Sequence, residues 1–239
     1  MRFVLGGFLL SLCAMAADFS KADELFEQRE KNPKAIHQAR AIYESILKSS
    51  HDSSDRVHAM NQLGKLALYE GELLLPEEDT EHRMTIFSQC QKNAETVGSA
   101  YWKALCLALW SQSAGRLSAW WYLDDFKAAM QRALIEDVYT DEGGIFRLLA
   151  IVYSKSKELE AYDLYDLNLA LEYANKAIEL APNQVSAYFS KATVLKELGN
   201  SNEAKSFVQA TLEIFEAKNN LEPEDKVFLS RLDKMRHAL

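Results

Sequence analysis

The feature that most limits what this chain can become is how short its interruptions are. Helical periodicity runs almost from end to end, broken at Asn32-Pro33, Ser49 to Ser54, Pro76, Gly98, Gly115, Gly143-Gly144, Pro182, Gly199-Asn200 and Pro223. Only 9 Gly and 4 Pro punctuate 239 residues, and alternating β-branched runs are scarce. The text between breaks therefore reads as helix. Connections this short make neighbouring helices antiparallel. The expectation is an all-α chain of about five hairpins, over 18–49, 53–96, 98–137, 142–181 and 184–219, with a closing helix at 223–238.

One stretch carries a definite internal period. From Asn183 the chain reads NQVSAYFSKATVLKELGNSNEAKSFVQATLEIF. Small Ala192 and Ala204 let two helices approach closely, Tyr188 and Leu195 fill the gap between them, and Leu212 follows in register. Gly199-Asn200 makes the turn, because both residues accept a left-handed backbone at little cost. These positions fall where a tetratricopeptide (TPR) unit of about 34 residues places them. The preceding unit ends LALEYANKAIELAPN, with Ala170, Ala177 and Pro182 at matching spacings. Its Tyr153 and Ala170, however, stand 17 apart where a standard unit has about nine. The excess lies within KSKELEAYDLYDLN, whose Tyr162 and Tyr165 are candidate contact residues, since loops beyond the local norm are often functional and tyrosines suit interfaces. Upstream, MNQLGKLALYEG places Leu63, Gly64 and Gly71 at the same spacing, after which the pattern fades. The reading is a single TPR-like repeat domain over 17–239.

Aromatic crowding makes SAWWYLDDF, from Ser118 to Phe126, the most unusual local stretch. In a helix, Trp120, Trp121 and Tyr122 would cover about 200° of the circumference. A stacked array offers two directions of burial, so packing accounts for two rings and the third is expected to face a ligand or partner. Asp124 and Asp125 follow; one is expected to pair with a basic neighbour such as Arg116 or Arg147 and the other to be solvated, the alternative being a cation anchor or a general acid/base pair. Arg147 lies on the otherwise apolar IFRLLAIVY, where a charge needs a partner or a wet cleft.

Chemistry is sparse. The chain lacks a Gly-rich phosphate loop, a nucleophile elbow, CxxC and HExxH. His51 and His58 are too far apart along one helix to share a metal, and PEEDTEH at 76–82 reads as a helix start rather than an ion site. The expectation is a non-enzymatic protein without metal or cofactor. A formal net charge of −8 without a basic stripe argues against nucleic acid and against an anionic membrane surface.

The first 16 residues read as an export signal: Arg2, an apolar run from Phe3 to Cys13, and Ala14-Met15-Ala16 as a small-x-small cleavage site. Leu12 occupies the lipobox position that wants a small residue, which disfavours lipidation of Cys13. Cys90 and Cys106 lie symmetrically about Gly98 and would share one height in a hairpin turning there. Two buried free thiols are the preferred reading; an oxidising compartment would also permit a disulfide.

SAYWKALCLALW, GRLSAWWYLDDFKAAMQRAL, DEGGIFRLLAIVY and ALEYANKAIELAP, in that order, resemble the T-component proteins associated with tripartite ATP-independent periplasmic (TRAP) transporters. The resemblance covers roughly residues 98–215. It implies a periplasmic stack of degenerate TPR hairpins with a narrow apolar pore or groove, lined near Trp102, Trp120, Trp121, Tyr122 and Arg147. It further implies self-association, a periplasmic substrate-binding protein as partner, and a hydrophobic small molecule as ligand. The alternatives are a carrier of an apolar ligand in a tryptophan-lined cavity, or a general cell-envelope adaptor.

Overall fold

The computed structural model describes residues 19–115 and 120–239. The first 16 residues, read from sequence as an export signal with Cys13, and Arg116 lie outside the described residues. Every regular element described is helical. In order these are α1 (19–27), α2 (Pro33–Ser49), α3 (Ser53–Leu68), α4 (Thr80–Val97), α5 (Ala100–Ala114), α6 (Leu123–Glu136), α7 (Gly144–Lys155), α8 (Leu167–Leu180), α9 (Val185–Glu197), α10 (Ser201–Glu216) and α11 (Pro223–Ala238). The chain is an all-α, TPR-like array of hairpins. It divides into two compact units, residues 1–126 and 127–239.

Local chemistry sets the helix ends. Asn32 Oδ1 accepts from the Lys34 N–H at 3.2 Å, with Pro33 in the first turn. Asp52 caps α3 through Ser54, and Asp166 caps α8 through Asn168 and Leu169. Each of these caps satisfies amide donors that a helix start leaves unpaired. At the other ends, Gly98 and Gly199 take φ of 76° and 78°. At the second turn the Asn200 N–H donates to Leu195 O at 3.2 Å and the Gly199 N–H to Lys196 O at 3.0 Å. This pair of bonds ties off the last carbonyls of α9 and demands the left-handed residue.

In the second unit α9 packs against α7, α8, α10 and α11. A first helix thus meets its own partner and the hairpins before and after it, which is how a stack propagates. Small residues make the approach possible: Ala150, Ala170, Ala174 and Val194 form one fully buried cluster, and Ala177, Ala181 and Ala187 another. Ala192 and Ala204 are fully buried as well. The Tyr188 ring lies 5.1 Å from Phe215 and 6.1 Å from Phe207, and its hydroxyl donates to the carbonyl of exposed Pro182 at 3.1 Å. The insertion before α8 folds as a 3-10 turn, Lys157–Tyr162, followed by Asp163 at φ 57°. Buried Leu164 anchors it, and the Asp166 N–H returns to Tyr153 O at 3.1 Å. The excess residues therefore bulge out and leave the α7–α8 register intact.

The closing helix is pinned by a side-chain hydrogen bond. Asp225 of α11 accepts the otherwise uncapped Val185 N–H of α9 at 2.9 Å. Burial raises the Asp225 carboxyl above its ordinary range; the Val185 bond opposes this, and neighbouring Glu224 and Glu222 add to it. A raised native pKa means the folded chain holds the proton more tightly. The associated stability is complete below the unfolded value and is lost as pH climbs through the native one. Asp225→Asn keeps an acceptor without the charge, so it should melt higher than the parent at pH 7, with the gap closing toward pH 4. A variant that melts lower at pH 7, by calorimetry, contradicts this account.

In the first unit α3 packs on α2, α4 and α5. Trp102 of α5 is fully buried, with its indole N–H donating to Asn61 Oδ1 at 2.8 Å. The indole lies against Gly64, where an added Cβ would stand 2.3 Å from the ring. Cys90 and Cys106 form a disulfide between α4 and α5, with Cα atoms 6.0 Å apart. This replaces the preferred reading of two free thiols: the equal height inferred from their symmetry about Gly98 brings the two side chains together. Gly64→Ala should destabilise the protein by about 1–3 kcal/mol through overpacking against Trp102, measured by urea unfolding. An unchanged midpoint would mean the α3–α5 contact is looser than described.

Candidate partner-binding site

A cleft of about 570 Å³ opens in the first unit among α2, α3, α4 and α5. Leu63 and Ala67 of α3 and Met84 of α4 supply apolar lining, Gln89 and Asn93 supply amides, and Trp110 contributes an aromatic wall. The helical spacing of α4 explains the arrangement. Glu81, Thr85, Ser88 and Lys92 recur at steps of four, three and four, so they share one face. Asn93 is only 6% exposed, and its side-chain oxygen accepts from Gln89 Nε2 at 3.0 Å.

Widening of α3 at its end shapes this region. Tyr69–Leu74 forms a π-helical turn, closed by the Leu75 N–H to Glu70 O at 3.1 Å. Such turns are rare and concentrate at functional sites. Here the turn presents two carboxylates: Glu70 pairs with Arg40 of α2, and Glu72 with Arg83 of α4 at 2.7 Å. Arg83 is 3% exposed and also donates to Ser113 Oγ at 3.3 Å. A cation so buried needs these partners. Gly71 sits against Phe87, an added Cβ meeting that ring at 2.6 Å. The TPR spacing fades after Gly71 because the chain keeps coiling there instead of turning.

The aromatic run reaches this cleft through Tyr122. Tyr122 meets Trp110 edge-on, ring centres 5.0 Å apart. Trp120 is 46% exposed, Tyr122 40% and Trp121 87%. The two-ring burial expected of the stack is thus absent. The buried stripe of α6 is Leu123, Phe126, Met130 and Ala133. Continued backward by helical steps it passes near positions 120 and 122, whereas 121 is out of phase with it. Asp124 and Asp125 are exposed in the first turn, where negative charge suits a helix start.

The remaining candidates separate. Trp102, expected to line a hollow, belongs to the core, because Gly64 admits its ring. Arg147 pairs with Asp141 and donates to Asp141 O at 2.8 Å and Glu142 O at 3.4 Å. It holds a turn in which Asp141, Glu142 and Gly143 all have positive φ. Tyr162 is partly exposed and its carbonyl accepts from Lys127 Nζ at 2.9 Å; Tyr165 is half-buried. His58 stands against Phe19 and Asp23, and His82 bonds Asp79 at 2.8 Å, which raises the His82 pKa. Arg40, Arg83, Gln89, Asn93 and Trp110 were not among the residues singled out from sequence. Arg83, eleven residues beyond Glu72, carries no spacing signal of its own.

Comparison with known proteins adds two findings. The tetratricopeptide repeat family matches residues 173–206, from within α8 through α9 into α10. A stretch of 53 residues, 22% of this chain, is 45% identical to "Uncharacterized protein MJ0572" of Methanocaldococcus jannaschii. The match spans 62% of that relative's length. Trp121→Ala should change stability by less than about 0.5 kcal/mol, as expected of an exposed side chain. A loss of several kcal/mol in chemical denaturation would place that ring in the core.

Proposed function

We propose that this protein is a non-catalytic helical-repeat scaffold that holds a protein partner at the cleft and aromatic lip of its first unit. The observation that carries the reading is the exposure of three consecutive rings, one of which, Tyr122, packs on the Trp110 wall of a formed cleft. Stacks of hairpins are suited to presenting extended binding surfaces, and exposed tryptophan and tyrosine are typical anchors at interfaces. The acidic pair Asp124-Asp125 and the net charge of −8 favour a partner whose contacting rim is basic.

On the finer level, the resemblance to T-component proteins supports an accessory role in TRAP-type solute uptake. The partner would then be a periplasmic substrate-binding protein, and self-association would accompany the role. The export signal and the Cys90–Cys106 disulfide both suit an oxidising compartment outside the cytoplasm. Carriage of a small apolar molecule has weaker support. Trp102 is packed into the core, while Trp120 and Trp121 stand at the surface, so the indoles do not line a common cavity.

The test is affinity capture of periplasmic protein by the full chain beside the Trp120→Ala/Trp121→Ala double variant. A discrete partner retained by the parent and weakened at least tenfold by the double variant is the expected result, since anchor truncations at interfaces cost 2 kcal/mol or more. Equal capture by both forms, or none by either, removes the support for this reading.

A further inference from the structure

The α2–α5 cleft has a mixed lining that specifies a kind of small molecule. Its apolar part is Leu63, Ala67, Met84 and the half-buried Trp110 ring. Its polar part on α4 is mostly uncharged: Thr85, Ser88, Gln89 and Asn93 outnumber Glu81 and Lys92. These groups are also held in place. Asn93 is buried and its side-chain oxygen accepts from Gln89 Nε2 at 3.0 Å, while Cys90, in the same lining, is tied to α5 by the disulfide. A lining ordered in advance loses little affinity to ordering on binding.

Hydroxyls and carboxamides both donate and accept. An anion would use only the donors and a cation only the acceptors, so either leaves half of this set idle. Charge points the same way. Arg40 is already engaged by Glu70, which leaves Lys92 beside Glu44 and Glu81. Two carboxylates can accept from O–H donors, but one lysine is not the clamp of cations that binds a phosphate or dicarboxylate. The ligand that uses the whole lining is uncharged, carries several groups that each donate and accept, and has an apolar face. A sugar ring has this form, with hydroxyls at its edge and C–H groups on its faces. The cleft volume of about 570 Å³ lies in the range of small-molecule sites.

We infer that this cleft binds a neutral mono- or disaccharide, with an apolar ring face against Trp110 and hydroxyls shared among Gln89, Asn93 and the carboxylates of Glu44 and Glu81. The inference goes beyond the scaffold reading: it gives the cleft a small-molecule ligand and leaves Trp120 and Trp121 to the protein partner.

Saturation-transfer NMR of the full chain with glucose, galactose, maltose and N-acetylglucosamine tests it, with acetate and choline as charged probes. The expected result is transfer to at least one sugar and to neither charged probe. The same sugar should change tryptophan emission in the parent and in Trp120→Phe/Trp121→Phe, but not in Trp110→Phe. Gln89→Ala, at an exposed position, should weaken sugar binding about threefold to tenfold, the effect of one hydrogen bond, with the thermal melt unchanged. Silence from all four sugars at about 10 mM, where a site with a constant of about 1 mM is mostly filled, overturns the inference. So does transfer to choline or acetate in place of the sugars, or undiminished binding by Gln89→Ala. An emission change that is absent, or that survives Trp110→Phe, overturns the assignment to this cleft. Partner capture without sugar binding refutes this inference alone, and sugar binding without capture refutes the scaffold reading alone.

Discussion

Close approach of helices through missing side chains is the contact on which this architecture depends. Gly64 leaves room for the Trp102 indole, and that indole is both the largest fully buried side chain and the donor to Asn61. The second unit uses alanines in the same way, with Ala150, Ala170 and Ala174 gathered in one cluster and Ala192 in another. Each hairpin buries too little alone to be stable. Stacking supplies the remaining apolar contact, and it can do so only where backbones come within reach. The large rings, Trp102 and Tyr188, then fill the wedge-shaped spaces that the close contacts leave.

The cleft follows from a departure from that regularity. A regular first helix would end near Gly71 and turn. The π-helical turn over Tyr69–Leu74 carries the chain onward and places Glu70 and Glu72 opposite Arg40 and Arg83. Two ion pairs thereby brace α2 and α4 on either side of α3. The disulfide ties α4 to α5. A wall fixed in three places keeps its spacing without a large apolar contact to close it, and the lining residues remain accessible. Rigid support around an open surface is what binding sites need, because ordering the site at the moment of binding would subtract from affinity.

How much of this was legible beforehand depended on the range of the interaction that decides it. Helix limits were legible because caps and left-handed glycines are local: Asn32-Pro33, Asp52, Gly98 and Gly199 fix ends from within a few residues. The unit containing Ala192 and Ala204 was legible because close packing constrains residue size at fixed spacing. The insertion before α8 was visible as excess length, but its return to Tyr153 O was not. Ion pairs were the weakest point. Arg147 is satisfied by Asp141, six residues back across a strained turn, and sequence offered Asp124 and Asp125 with equal plausibility. The cleft itself was invisible, since Gln89 and Asn93 look like any polar residues on a helix until α2 and α3 are placed beside them.

The aromatic run shows why one class of inference fails at a surface. Reasoning from three adjacent rings assumed that packing must cover two of them, because burial of a ring stabilises by roughly 1.5–3 kcal/mol. That argument ranks sites that folding has to fill. It has no force at a position already out of phase with the buried stripe of α6, where Leu123, Phe126, Met130 and Ala133 complete the packing. An exposed indole costs the native state almost nothing relative to the unfolded chain, in which it is exposed too. The penalty falls on solubility and on specificity of association. Trp121 is therefore a residue on which folding energetics are silent, and its effect is to be sought in what the protein contacts, while Trp102, nineteen positions earlier and chemically identical, is explained entirely by the fold.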